Sequence, residues 1–411
     1  MLEFLKNNWV RTLFYIGLFL IGVSLLLPEN FRNAALIAFA VAAFMSLLFG
    51  PKGFIVDKSI LVYNSFFFIV MLISMVYTSN IEYGIKRIVV MLALIIIPVS
   101  FYIFHSKYDL NYSKILKPFY LLFFVSSILF FIAVFIQNHL NDHFNEFIFR
   151  DYSERLNSKY GKYSMHPIYA SLYLSISLIL TIPLYGYLKR KRHKILLVLG
   201  ALFLTTILVL LTRKGIIAVT FSIFLVYFLR KQQKHNLLLY AFITILLAAI
   251  TYNIPDLKNR YLEMLNVFLS GDLNKGGSTA IRLSIYDCTV NAIRQSTFGG
   301  YGIGDAKGVL SLCYEQSPDV FQGAYYNSHN QFFGAWLAAG IAGILSLLAM
   351  VFYNFKLALN RLDFVHVSIM VIFFFTMMTE NVLERQNGAI LFSFFINFFA
   401  FKNFQTEKNL D

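Results

Sequence analysis

Three short polar segments interrupt an otherwise apolar sequence, and their side chains could bind and activate a phosphorylated substrate. The segment "LTRKGIIAV" contains Arg213 and Lys214, and the segment "STAIRLSIY" contains Arg282. A third segment, "NSHNQFFGAWLAAGIAG", places His329 and Asn330 at the start of a Gly/Ala-rich stretch. Arginine can bind phosphate oxygens through two parallel hydrogen bonds, and neutral histidine can accept a proton near neutral pH. These residue types together predict an anion-binding pocket with a base beside it.

Each of these polar groups is expected near the beginning of a helix, because capping residues stand close to it. The candidate N-caps are Thr212, Ser278 or Thr279, and Asn327 with Ser328. Free N–H groups and the positive end of the helix dipole favour anions at such positions. The same dipole should disfavour protonation of His329. The run "GGYGIG" between the second and third segments indicates close packing of backbone.

A fourth segment, "MMTENVLERQNGA", supplies carboxylates. Glu380 or Glu384 could orient His329 or bind substrate hydroxyls, and either could instead form a local ion pair with Arg385. The sequence contains no P-loop, no dinucleotide-binding fingerprint and no cluster with the spacing of metal ligands. We therefore predict neither a metal nor a cofactor.

The composition indicates that these segments belong to a polytopic membrane protein. Of the 411 residues, 58% are hydrophobic and only 14% are charged, against about half and about a quarter in soluble domains. A soluble helical bundle would need polar helix faces that the apolar runs lack. We predict one all-α integral membrane domain over residues 1–411, with about twelve transmembrane helices. The expected spans are roughly 12–27, 33–50, 60–78, 87–105, 118–138, 167–188, 194–211, 215–230, 236–254, 330–353, 364–381 and 387–402.

The distribution of charge predicts the side of the membrane on which the polar segments lie. With both termini in the cytoplasm, nearly all of the net charge of +14 falls in the cytoplasmic loops, as the positive-inside bias requires. The basic composition therefore reflects topology and does not indicate nucleic-acid binding. Arg213 and Lys214 lie on the opposite side, where they either anchor to lipid headgroups or bind a substrate. Because the positive-inside bias disfavours cations on that side, their presence there favours substrate binding over lipid anchoring.

Two long segments, 139–166 and 255–329, are expected on that same outer side. Both contain apolar residues at helical spacing, which predicts amphipathic helices that lie on the membrane surface or pack against the bundle. Cys288 and Cys313 both fall in the second segment. An oxidising compartment permits a disulfide between them, and two free cysteines at a helix interface are the alternative.

The third segment resembles the signature of the O-antigen ligase family, whose fold is shared with O-antigen polymerases and bacterial O-oligosaccharyltransferases. His329 and Asn330 are followed by nine residues, Gly340, two further residues and Gly343. The whole chain is similar to the family pattern of twelve helices with a large periplasmic loop before this motif. The resemblance thus implies the same helical fold.

The resemblance also implies roles for individual residues. Arg213, with Lys214 beside it, and Arg282 match the family's two essential arginines, and His329 matches its essential histidine. Glu380 looks equivalent to an acidic position at which the family often has aspartate. The arginines would bind a pyrophosphate, His329 would position or deprotonate an attacking hydroxyl, and no metal would be needed.

In such enzymes a glycan carried on undecaprenyl pyrophosphate is transferred at the periplasmic face of the bacterial inner membrane, among membrane lipids. The acceptor is lipid A core in ligases, a growing glycan in polymerases and a protein in oligosaccharyltransferases. The motif spacing favours a ligase, with the other two as alternatives. A lipid-linked oligosaccharide flippase, a scaffold, or a peptidoglycan glycosyltransferase using Asp287 or Asp305 is a more distant alternative. The segment "MHPIYAS" also resembles family members, and its His166 and Tyr169 are candidate supporting residues.

Overall fold

The computed structural model describes the backbone of residues 2–27, 29–51, 56–108, 110, 112–141, 165–211, 214–230, 278–316, 321 and 326–408. Within these ranges the secondary structure is helical, and no strand is present. The α-helices are α1 Leu2–Gly22, α2 Glu29–Phe49, α3 Lys58–Ile73, α4 Ile81–Met91, α5 Ala93–Lys107, α6 Tyr112–Asn141, α7 Pro167–Tyr187, α8 Lys191–Leu210, α9 Lys214–Arg230, α10 Ser278–Gln295, α11 Ala306–Glu315, α12 Gln331–Asn360, α13 Phe364–Met377 and α14 Gln386–Lys408. Short 3₁₀ turns occur at Ser24–Leu26, Ser74–Tyr77 and Val382–Glu384.

Several helices have the length and composition needed to cross a membrane. Six such segments are Lys58–Tyr77, Ile81–Lys107, Tyr112–Gln137, Pro167–Tyr187, Lys191–Val209 and Gln331–Asn360. Shorter apolar helices are Trp9–Gly22, Asn33–Phe49, Ile216–Tyr227 and Phe364–Met377. Helix covers most of each predicted span except 236–254, which lies outside the described residues. Residues 142–164 and 255–277 of the two long segments predicted to contain amphipathic helices lie outside them too, so the number of spans and their sidedness stay predictions.

The first helices and the last pack through an aromatic core. Phe14 of α1 stacks on Phe104 of α5 with ring centroids 3.6 Å apart. Phe101 of α5 packs between Phe39 of α2 and Phe394 of α14, with centroids at 5.2 and 6.0 Å. All five rings are buried. Each such pair contributes about 0.5–1.5 kcal/mol beyond the burial of its area. The core holds α14 against the first helices, and α14 in turn contacts α12 and α13.

Helix α12 is kinked near its first third, at the first glycine of the motif. Gly340 has φ 57° and ψ −149°, a backbone conformation that glycine adopts readily and L-residues rarely do. A Cβ there would also overlap the carbonyl oxygen of Phe298. The glycine-rich turn docks at the kink, where the N–H groups of Tyr301 and Gly302 donate to two α12 carbonyls at 2.7 and 2.9 Å. This turn therefore fixes the direction of the first part of α12.

A second, smaller hydrophobic cluster attaches α10 and α11 to α12. It includes Ile285 of α10 and Leu310 and Tyr314 of α11, all buried. A disulfide joins Cys288 of α10 to Cys313 of α11, with Cα atoms 5.9 Å apart. The covalent link and the cluster hold α10 beside the beginning of α12.

Candidate active site

The carboxylate of Glu380 lies between a histidine and an arginine that are distant in sequence. Its Oε2 is 3.2 Å from Nδ1 of His329, and its Oε1 is 3.4 Å from Nη2 of Arg282. The Glu380 side chain is 14% exposed, whereas His329 is 23% and Arg282 40% exposed. Arg282 comes from α10, His329 from the turn before α12, and Glu380 from the turn after α13. Three of the residues singled out in the sequence are thus brought together.

The contact with Glu380 determines which nitrogen of His329 can act as a base. An ionised carboxylate can only accept hydrogen bonds, so the neutral imidazole carries its proton on Nδ1. Nε2 then has the free lone pair. The carboxylate holds the ring in one tautomer and orientation, as in other carboxylate–histidine pairs.

The surroundings of Glu380 keep it ionised. Burial raises the pKa of Glu380, but the hydrogen bond and charge of His329 and the charges of Arg282 and His166 lower it. The net effect is a pKa below the ordinary value of 4.5. Glu380 is therefore anionic near neutral pH and accepts from both neighbours.

The backbone around His329 differs from the prediction. Asn330 is the N-cap of α12, and its Oδ1 accepts the N–H groups of Phe332 and Phe333 at 2.9 and 3.1 Å. The expectation that Asn327 and Ser328 cap this helix is wrong, because the side chain of Asn330 reaches the free N–H groups first. His329 precedes the helix with φ 43°, in the left-handed region.

A tyrosine of α10 contacts the same stretch of backbone. The hydroxyl of Tyr286 donates to the carbonyls of His329 and Met378 at 3.2 and 3.3 Å. Burial raises the pKa of Tyr286, so it stays protonated and able to donate. Because Tyr286 lies one turn after Arg282, α10 positions both the guanidinium and the turn that carries His329.

A cavity of about 600 Å³ opens beside the His329–Glu380 pair. His166 and Tyr169, which the sequence offered without a role, both line it. His166 is the N-cap of α7, with Nδ1 accepting from the N–H of Ile168 at 3.4 Å. Four cations also line the cavity: Lys86, Arg87, Lys307 and Arg385. The cavity has the size and charge to receive an anionic substrate.

Arg87 is a site residue that the sequence reasoning missed. Its Nη2 is 2.9 Å from Oε2 of Glu384, and its Nη1 donates to the Glu384 carbonyl at 3.0 Å. Glu384 therefore pairs with Arg87, and the structure does not contain the alternative ion pair between Glu384 and Arg385. Lys86 and Arg87 are adjacent cations at the outer end of a predicted span, which is the signal that singled out Arg213 and Lys214.

Two predicted pyrophosphate-binding residues lie at the margin of the described structure. Arg213 lies outside the described residues, and Lys214 is the first residue of α9, with no description of its side chain. Their place in the site remains a prediction. Among the described residues, no group of three or more His, Cys, Asp or Glu side chains could hold a metal ion.

Residues 195–348 match the family model described as O-Antigen ligase. The matched range contains Arg213, Arg282 and His329, whereas Glu380 lies beyond its end. No curated protein matches the chain.

Proposed function

The chain belongs to the O-antigen ligase family through residues 195–348, and we propose on this premise that it transfers a glycan from undecaprenyl pyrophosphate to an acceptor hydroxyl. The family implies a glycan-transferring enzyme of the membrane in general. The donor, the acceptor and the residue roles given below are our proposal.

The observation that carries the proposal is the hydrogen-bonded pair of His329 and Glu380 beside Arg282 at the edge of a cavity. Nε2 of His329 takes the proton from the acceptor hydroxyl as its oxygen attacks the anomeric carbon. The bond between that carbon and the pyrophosphate oxygen breaks, and undecaprenyl pyrophosphate leaves as an anion. By analogy with the family, the displacement is a single inverting step.

Arg282 stabilises the charge that builds on the leaving group. One of its nitrogens contacts Glu380, and its half-exposed guanidinium offers further N–H groups to phosphate oxygens. We assign Arg213 and Lys214 to the same task from their sequence match. Fixed cations at a developing negative charge typically supply a large share of the rate enhancement.

The charge distribution supports a site on the periplasmic face of the inner membrane, with both termini cytoplasmic. Lipid A core is the acceptor that the motif spacing favours. The related polymerases use a growing glycan as the acceptor, and the oligosaccharyltransferases use a protein hydroxyl. The pair of His329 and Glu380 would activate any of these hydroxyls in the same way.

Deletion of the coding sequence, followed by analysis of lipopolysaccharide and of lipid-linked glycans, tests the proposal. A ligase loss leaves free core and accumulated lipid-linked polymer. A polymerase loss leaves core that carries one repeat unit, and an oligosaccharyltransferase loss leaves lipopolysaccharide normal and a glycoprotein bare. Accumulation of the donor only on the cytoplasmic leaflet would indicate a flippase and overturn the proposal, as would unchanged glycans throughout.

A further inference from the structure

Asn381 contacts the residues on both sides of His329. Its Oδ1 accepts the N–H of Asn330 at 3.0 Å, and its Nδ2 donates to Oγ of Ser328 at 3.0 Å. Asn381 is only 2% exposed. It therefore acts on the turn that carries His329 and presents almost no surface to a substrate.

That turn needs such support, because its backbone is strained. The φ of 43° at His329 lies in a region that L-residues rarely adopt. Conformations of this kind persist only where the surroundings determine them. The hydrogen bonds of Asn381 to Ser328 and Asn330 fix the chain immediately before and after the strained residue.

The side chain of Asn381 is held in turn by an ion pair that is largely shielded from solvent. Its Nδ2 donates to Oε1 of Glu384 at 2.6 Å, and Oε2 of Glu384 is 2.9 Å from Nη2 of Arg87. Both side chains of the pair are less than one-fifth exposed, at 16% for Arg87 and 19% for Glu384. A continuous polar connection thus runs from α4 through the turn after α13 to the start of α12.

A glycine in the first turn of α12 leaves room for this connection. A Cβ on Gly334 would lie 2.5 Å from Nδ2 of Asn381, 3.0 Å from Oε1 of Glu384 and 3.2 Å from Oγ of Ser328. Small residues in a membrane helix usually let another helix approach closely. Three polar side chains occupy the space instead.

We propose that Arg87, Glu384 and Asn381 form a positioning relay that holds the His329 backbone in its left-handed conformation and so aims the imidazole at the cavity. The role of His329 in this inference rests on the proposed function. None of the three residues is itself a base in the reaction. Each acts through the geometry of His329.

Two variants break the relay from opposite sides, and a third serves as a matched control. Asn381→Ala removes the central amide, whereas Gly334→Ala pushes that amide away without removing any polar group. Gly308→Ala is the control, because a Cβ at this α11 glycine meets nothing within 4 Å. The full-length proteins are purified in lipid nanodiscs and compared by hydrogen–deuterium exchange and by glycan transfer.

The exchange measurement reports on the backbone and needs no substrate. In both relay variants, the amide of Asn330 should exchange at least about tenfold faster, because its acceptor is displaced. Peptides from α13 and α14 should keep their exchange rates, which shows that the fold is retained. Gly308→Ala should match the wild type throughout.

The transfer measurement uses the lipid-linked glycans and acceptors extracted from the deletion strain as the probe. In both relay variants, kcat should fall by about 100-fold, since a shift of about 1 Å at a reacting group has that effect. The KM for the donor lipid should not change, because neither substitution removes a cation of the cavity and Asn381 is almost fully buried.

Faster exchange together with a lower kcat and an unchanged KM supports the relay. Unchanged exchange at Asn330, wild-type kcat despite faster exchange, or a raised KM with normal kcat overturns it. If the wild type itself transfers nothing, the proposed function fails, and the exchange data alone decide whether the relay holds the backbone.

Discussion

Helix α13 has a group made of a carboxylate, a cation and a histidine at each of its ends. Before its start, Oδ2 of Asp363 lies 2.5 Å from Nζ of Lys402, and Oδ1 accepts the N–H of His366 at 3.2 Å. Beyond its end, Glu380 contacts Arg282 and His329. The residue types are nearly the same, and the two groups nevertheless suit different purposes.

The two groups differ in their exposure to solvent and in the part of the histidine that the carboxylate contacts. Asp363 and Lys402 are 9% and 18% exposed, and His366 is fully buried against the ring of Phe399. Asp363 bonds the backbone of its histidine and thereby caps α13. Glu380 bonds the imidazole ring itself and orients it beside a cavity. The first group therefore stabilises the fold, whereas the second holds a histidine in a position from which it could act as a base.

The largest expected contrast is between the two histidines. His329→Ala should lower kcat for glycan transfer by about 1,000-fold, since general-base catalysis typically contributes that much. His366→Ala, the matched control, should keep the wild-type kcat per folded molecule, because His366 does not line the cavity and lies at the opposite end of α13 from Glu380. Glycan transfer is measured with the proteins in lipid nanodiscs, and the rate is divided by the amount of folded protein. Wild-type transfer by His329→Ala would reject the site.

Particular residues show what the sequence could and could not predict. His329 and Arg282 were identifiable because a motif spacing and cations on the disfavoured side of the membrane are local signals. The left-handed φ of His329 was not, because it depends on Asn381, which is remote in sequence and joined only by tertiary contacts. Arg87 carries the same signal, but the predicted span 87–105 begins at this residue, so the sequence alone assigns it to a membrane helix and not to a site.

The next effect concerns Glu380, whose carboxylate orients the imidazole of His329. Glu380→Gln should lower kcat by about 100-fold, because the imidazole keeps its Nε2 but loses the carboxylate that fixes its tautomer and orientation. The fold should also lose a pH-dependent contribution to its free energy of unfolding. Because the folded pKa of Glu380 lies below 4.5, its ionised form stabilises the protein above that pH. This stabilisation disappears as the pH falls through the folded pKa.

Unfolding midpoints of the wild type and Glu380→Gln, measured across this range, test the sign. The gap between them should be present at neutral pH and should close as the pH is lowered below 4.5. A gap that widens in acid would show that Glu380 is protonated in the folded protein. The proposed tautomer of His329 would then be wrong.

The smallest effect on transfer is expected for the Asp363–Lys402 pair, where substitutions should change stability instead. Asp363→Ala removes a helix cap and leaves the largely shielded charge of Lys402 without its carboxylate, which should lower the free energy of unfolding by roughly 3 kcal/mol. Replacing both residues, as Asp363→Ala with Lys402→Met, should recover part of this loss, because an apolar side chain tolerates burial better than an uncompensated charge. Both proteins should keep the wild-type kcat. A loss of kcat comparable to that of Glu380→Gln would mean that the two ends of α13 are coupled. Exposure to solvent would then not be enough to distinguish a structural group from a catalytic one.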